Sequence, residues 1–125
     1  MVWQKANKEL IALLEEQMQN YRCDRRVMFG SPTFFIEGNM FAGVHENTII
    51  LRLSEGDLHE IFMRFEEIKP FAPMGGHVMK AYAALPLKIA LQNGILDECL
   101  HKSYKFTSSL PIKIAKKSAK KKITD

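Results

Sequence analysis

A chain of 125 residues, 46% of them apolar, has enough material for one packed core; it is too short for two comfortable domains and too apolar for a disordered chain. No apolar run approaches the roughly 20 residues that span a bilayer. The net charge of +4 is concentrated at one end: "KIAKKSAKKK", residues 113–122, holds six lysines and no acid, and residues 1–112 carry about −1.

The first predicted element is a helix over residues 4–19. Leu10, Leu13, Leu14 and Met18 recur at helical spacing, with Ile11 beside them and Lys8, Glu9, Glu15 and Glu16 facing away. The short run "LIALL" leads straight into two glutamates, so it lacks the order of a signal peptide. Cys23 and Cys99 are the two cysteines and have no ligand spacing, which fits reduced thiols in a cytoplasmic protein. The four histidines are scattered, and no metal site is expected.

A run of short strands follows. Val27–Gly30 reads as the first, and Ser31-Pro32 as its break, because proline cannot donate to a ladder. Thr33–Glu37 is the second, with a hairpin turn expected at Gly38-Asn39. Met40–His45 is the third, Glu46-Asn47 the next turn, and Thr48–Leu53 the fourth. Period two places Phe34 and Ile36 on one face, with Met40, Ala42 and Val44, and then Ile49, Leu51 and Leu53. Phe35, Phe41 and Ile50 fall on the other face. They form a candidate interface for a partner or a second copy unless a helix or the C-terminal segment covers them.

"SEGD" marks a second helix, with Ser54 as N-cap three residues before Asp57. Leu58, Ile61, Phe62 and Phe65 give its apolar face, and it is expected to end near Glu67. Prolines and Gly75-Gly76 then predict a turn, "VMKAYAAL" a strand closed by Pro86, and Ile95–Ser108 a last helix. The order is α, four-strand meander, α, one or two strands, α. This is an α+β fold in two layers, an antiparallel sheet packed with helices. One domain over 1–111 and a flexible lysine-rich tail over 112–125 are expected.

No catalytic constellation stands out. Gly30-Ser31-Pro32 lacks phosphate-loop spacing, and Gly75-Gly76-His77 reads as a hairpin turn. No cofactor is implied. Lys80 and Tyr82 share a strand face, and with Arg26 and Arg52 they form a candidate polar cluster for an anionic ligand or a partner. The lysine tail supports at most weak, salt-sensitive attraction to nucleic acid.

The segments "RRVMFGSPTFFIEGNMFAGV", "IILRL" and "PMGGHVMKAYAALP" resemble the TfoX N-terminal domain family, related to the bacterial competence regulators TfoX and Sxy. Arg26, Met28, Phe29, Gly30, Gly38, Met40, Phe41, Ala42, Tyr82 and Pro86 match its pattern, and the likeness covers about residues 5–110. Ser31 stands where many members carry a second glycine. The lysine tail stands where a full-length regulator has a C-terminal helical domain, so a stand-alone form is expected. The resemblance implies a secretion-chaperone-like two-layer fold with no assigned catalytic residues. The resulting expectation is a non-catalytic regulatory or protein-interaction domain, with homodimerisation as a side expectation. A small-molecule-binding domain or minor enzyme is the alternative.

Overall fold

The computed structural model describes residues 6–28, 30–72, 78–92 and 94–112. Phe29, the Gly75-Gly76-His77 turn, the start of the predicted first helix and the lysine run all lie outside the described residues.

Helix α1 spans Lys8–Met18. It starts where Asn7 accepts hydrogen bonds from the Glu9 and Leu10 amides, satisfying two orphan donors of the first turn. The Asn7 amide also donates to the Glu46 carbonyl at 2.8 Å, fastening the helix to the sheet. Leu10, Leu14 and Met18 form its buried stripe, as the spacing predicts.

The sheet has six antiparallel strands: β1 (Asp24–Met28), β2 (Ser31–Ile36), β3 (Asn39–His45), β4 (Thr48–Arg52), β5 (Lys69–Phe71) and β6 (Met79–Pro86). Their spatial order is β1-β2-β3-β4-β6-β5. The last strand by sequence thus inserts between the meander and a short edge strand. Helix α2 (Glu55–Arg64) bridges β4 to β5, a single turn α3 (Leu87–Ala90) follows β6, and α4 spans Ile95–Ser108. The two-layer α+β architecture matches the expectation.

Several local readings are corrected. The first strand begins at Asp24, not Val27. Pro32 lies inside β2 instead of breaking the chain there. It cannot donate to β3, and the neighbouring Ser31 hydroxyl instead donates to the Val44 carbonyl at 2.8 Å. The hairpin turn is Glu37-Gly38 rather than Gly38-Asn39, with φ of 49° and 83°. Two successive positive φ values suit the twist of the flanking strands. Asn39 instead pairs with Ile36 and sends its side-chain amide to the Pro111 carbonyl at 3.0 Å. The segment after α2 adds β5, with Pro70 on an edge strand that tolerates it. Ser54 caps α2 as predicted, its hydroxyl accepting from the Asp57 amide at 3.1 Å, but the helix stops at Arg64.

The main core lies on one face of the sheet. Phe34, Ile36, Ala42, Val44, Ile49, Leu51, Ala83 and Leu85 meet buried residues from all four helices in one cluster. The register explains this, because Phe34, Ala42, Leu51 and Ala83 are successive cross-strand partners. Ile50 and Tyr82 are buried but lie outside that cluster, on the opposite face.

The largest departure from simple alternation is at Phe41. Phe34 pairs with Ala42, but Phe35 pairs with Met40, so Phe41 is an extra residue on β3. Such a bulge turns a side chain out of strict alternation. Phe41 joins Ala42 on the helix face, is 0% exposed, and packs edge-on against Tyr21 and Tyr104 at centroid distances of 6.4 and 5.7 Å. The bulge also frees backbone carbonyls. The buried Ser103 hydroxyl of α4 donates to Phe41 O at 3.0 Å, and the Tyr82 phenol donates to Met40 O at 3.2 Å from the other face. Two hydroxyls from opposite sides thus replace ladder bonds that the bulge breaks.

Candidate functional site

Among the described residues every helix packs on one face of the sheet, which leaves the other face without helices. Its composition follows from the register. Arg26, Thr33, Gly43, Ile50, Ala84 and Lys69 form one cross-strand row running from β1 to β5. A neighbouring row holds Phe35 opposite Met40, and Arg52 opposite Tyr82.

The three residues predicted as a shared apolar interface do not form one. Phe41 is turned to the helix side by the bulge. Ile50 stays on the open face but is 1% exposed. The rings of His45 and Phe71 meet there at 5.1 Å, although β4 and β6 separate their strands. This contact spans the two strands between them. Phe35 is half-buried beneath the Arg26 guanidinium, which sits 4.5 Å from its ring centroid. Each of the three is therefore covered from within the chain.

The predicted polar cluster is also divided. Arg26 and Arg52 share the open face but lie three strand spacings apart, about 14 Å, too far to grip one small anion. Arg52 and Tyr82 do come together as direct partners, with the guanidinium 5.7 Å from the ring centroid. Burial raises the Tyr82 phenol above its ordinary pKa, and the Arg52 charge partly offsets this. Lys80 has the strand parity of Tyr82 but is exposed, and no hydrogen bond or ion pair ties it to the others among the described residues. The Arg52 Nε atom is buried and has no hydrogen-bond partner among the described residues.

Two shallow depressions lie elsewhere. One, of about 350 Å³, runs between the β2 end and α4 and includes Arg22, Cys23, Phe35 and Tyr104. The other, of about 220 Å³, includes Glu15, Tyr21, Cys23 and Arg25. Cys23 borders both, but burial, and then the neighbouring Asp24 charge, raises its thiol pKa and leaves a weak nucleophile. Cys99 is pushed up to about 11 by burial in α4. Arg25 is held by Glu15 of α1, not by the adjacent Asp24. No group of three or more metal-ligating side chains occurs among the described residues.

Sequence reasoning missed Ser103 and Phe71. Ser103 follows Leu96, Cys99 and Leu100 at helical spacing, so its position on the buried stripe was readable; its acceptor, a bulge carbonyl, was not. Phe71 sits between prolines that argued for a turn.

Among the described residues no helix is long and apolar enough to cross a membrane. Comparison with curated proteins and with solved structures returns no match. A family model described as "TfoX N-terminal domain" matches residues 13–107, which takes in α1 from its middle, the whole sheet and nearly all of α4. The bulged Met40-Phe41-Ala42 segment and the Tyr82 strand that satisfies it both lie within that match, and the chain belongs to the TfoX N-terminal domain family.

Proposed function

We propose that this domain is a non-catalytic regulatory or protein-interaction module that uses its helix-free sheet face. The observation behind this reading is the segregation of all four helices to one side. The other side is a broad surface carrying Arg26, Arg52, Lys69 and Lys80 on its strands. A flat face with aromatic and arginine side chains has the composition favoured where proteins meet. Homodimerisation through this face is one form the reading takes, and weak attraction of nucleic acid to the lysine tail is a separate, minor one.

Site-specific photo-crosslinking in the native cell tests it. A photoreactive residue at Lys80 or Arg26 is expected to capture a discrete protein partner or a second copy. The same residue at His59 or Lys105, on the helix side, is expected not to. Equal capture from both sides would remove the face from consideration.

A second reading, binding of a small anion, draws on the unpaired Arg52 Nε. A thermal-shift screen with nucleotides, acyl compounds and sugar phosphates addresses it. A hit abolished by Arg52→Ala would favour it over the interaction module.

A further inference from the structure

Arg52 stands apart from the arginines around it. Arg25 and Arg64 are the more exposed, and each has a carboxylate: Glu15 for Arg25, and Glu98 and Glu60 for Arg64; Arg22 and Arg26 have none among the described residues but are exposed to water. Arg52 lies on the interior strand β4, is half-buried, and has no carboxylate among the described residues. Its Nε is removed from water without gaining an acceptor. The Tyr82 hydroxyl donates its proton to Met40 O and its oxygen faces the Arg52 guanidinium, yet Nε itself gains no acceptor. Desolvating part of a guanidinium without a partner is costly. Arrangements that break a local rule in this way concentrate where something is bound.

The missing partner can be described by its chemistry. The Nε and Nη edge of a guanidinium is a fork that fits a planar carboxylate with two parallel hydrogen bonds. The surroundings decide what carries that carboxylate. Neither of the two depressions contains Arg52, and small-molecule sites are concave and enclosing. The strand positions on this face carry Arg26, Arg52, Lys69 and Lys80 against Asp24, so an approaching segment of negative charge is favoured.

We propose that Arg52 anchors a carboxylate of a partner protein, presented on an extended acidic segment laid across the helix-free face. This rests on the protein-interaction reading above. Seating the carboxylate requires the guanidinium to lift from the Tyr82 ring so that Nε and one Nη meet it together.

The test is nuclear magnetic resonance of the arginine Nε–H groups and backbone amides of the full chain. The probes are an alternating peptide, acetyl-(Glu-Val)4-amide, its Lys-Val counterpart, sodium propionate and octathymidylate. The expected result is a saturable shift of the Arg52 Nε–H with the acidic peptide. The Arg25 and Arg64 signals stay in place and the basic peptide has no effect. Arg52→Gln weakens the acidic peptide by roughly 30-fold, the effect of losing one desolvated charge pair. Arg52→Lys, which keeps the charge but not the fork, restores less than half of that on a logarithmic scale. An unchanged amide spectrum elsewhere certifies that both variants fold.

Three results would overturn the proposal. An Arg52 signal unmoved by the acidic peptide removes the anchor. Propionate binding as tightly as the peptide makes it a small-carboxylate site. Stronger movement with octathymidylate assigns the face to nucleic acid. Amide shifts at Thr33, Met40 and Ile50 without an Arg52 Nε–H shift would defeat the anchor while leaving the interaction face intact. No shift at either would defeat both.

Discussion

The two faces of this sheet are built from the same strands but held by different forces. On the helix side, Phe41, Ile49 and Leu51 are buried among apolar residues of four helices, and several polar groups there are matched, although Gln17 Oε1 and Thr107 Oγ1 are buried without a partner among the described residues. Ser103 meets the Phe41 carbonyl, and Arg64 meets two glutamates between α2 and α4. On the open side, burial comes from side chains lying flat on the sheet: Arg26 on Phe35, Arg52 beside Tyr82, and Phe71 across to His45. The first arrangement pairs its charged groups within the chain and leaves only neutral atoms, Gln17 Oε1 and Thr107 Oγ1, among the described buried groups without a partner. The second leaves a buried Arg52 nitrogen without an acceptor. The difference separates a face held by apolar burial and paired charges from one where a buried charge lacks a partner among the described residues.

The largest test of that division compares two phenylalanines six positions apart. Phe41→Ala opens a cavity beneath Tyr21 and Tyr104 and should destabilise the domain by about 3–5 kcal/mol in urea unfolding. Phe35→Ala, on the open side, should cost only about 1 kcal/mol. Equal losses would break the distinction between the faces.

The hydroxyls at the bulge give a smaller contrast. Ser103→Ala leaves the Phe41 carbonyl unpaired in the core, at about 1–3 kcal/mol. Tyr82→Phe removes the donor to Met40 O on the open side, where water reaches more easily, and should cost roughly 1 kcal/mol or less. The urea midpoints of the two variants decide the ranking.

Much of this fold was legible in the sequence. Helical spacing of Leu10, Leu14 and Met18, the Ser54 cap, and the last helix over Ile95–Ser108 all reflect local physics, and all appear where the pattern places them. What period two cannot reveal is an extra residue. One bulge at Phe41 moves its side chain across the sheet, and no local signal marks it, because the cause is a register set by two strands. Pro32 misled for a related reason: its missing donor is made good by Ser31, which reaches a carbonyl 13 residues away. The candidate cluster was half legible. Alternation paired Arg52 with the face of Tyr82, but their direct pairing depends on the strand order, which places β6 beside β4 and leaves Arg26 three strands away on β1.

A charge network on the helix side predicts a modest pH effect. Hydrogen bonds from Arg64, and then from Lys102, hold the Glu98 carboxyl down at about 2, against an ordinary 4.5. A carboxyl depressed in the folded state contributes stability that is fully present above its unfolded pKa and lost as pH falls through the folded one. The contribution is therefore complete above about 4.5 and drains away toward 2. These side chains are about a third or more exposed, so water screens them, and the expected size is that of surface pairs, about 0.2–1 kcal/mol. Glu98→Gln should flatten this part of the stability–pH profile, measured by urea midpoints between pH 6 and 2.5.

The smallest expected effect is the one that separates the faces most sharply. Arg52→Met keeps the length and the apolar stem that covers Tyr82 but removes the charge whose Nε lacks a partner. Replacing a poorly paired buried charge by an apolar group of similar shape is often neutral or stabilising. The variant should unfold within about 1 kcal/mol of the parent, on either side. Arg64→Met, made on the helix side, should lose stability, because it leaves Glu98 and Glu60 with Lys102 as their one shared cation among the described residues. If Arg52→Met were instead the more damaging of the two, Arg52 would be a structural residue and the proposed anchor would lose its basis. If stability holds while partner binding falls, the charge on Arg52 serves binding rather than the fold.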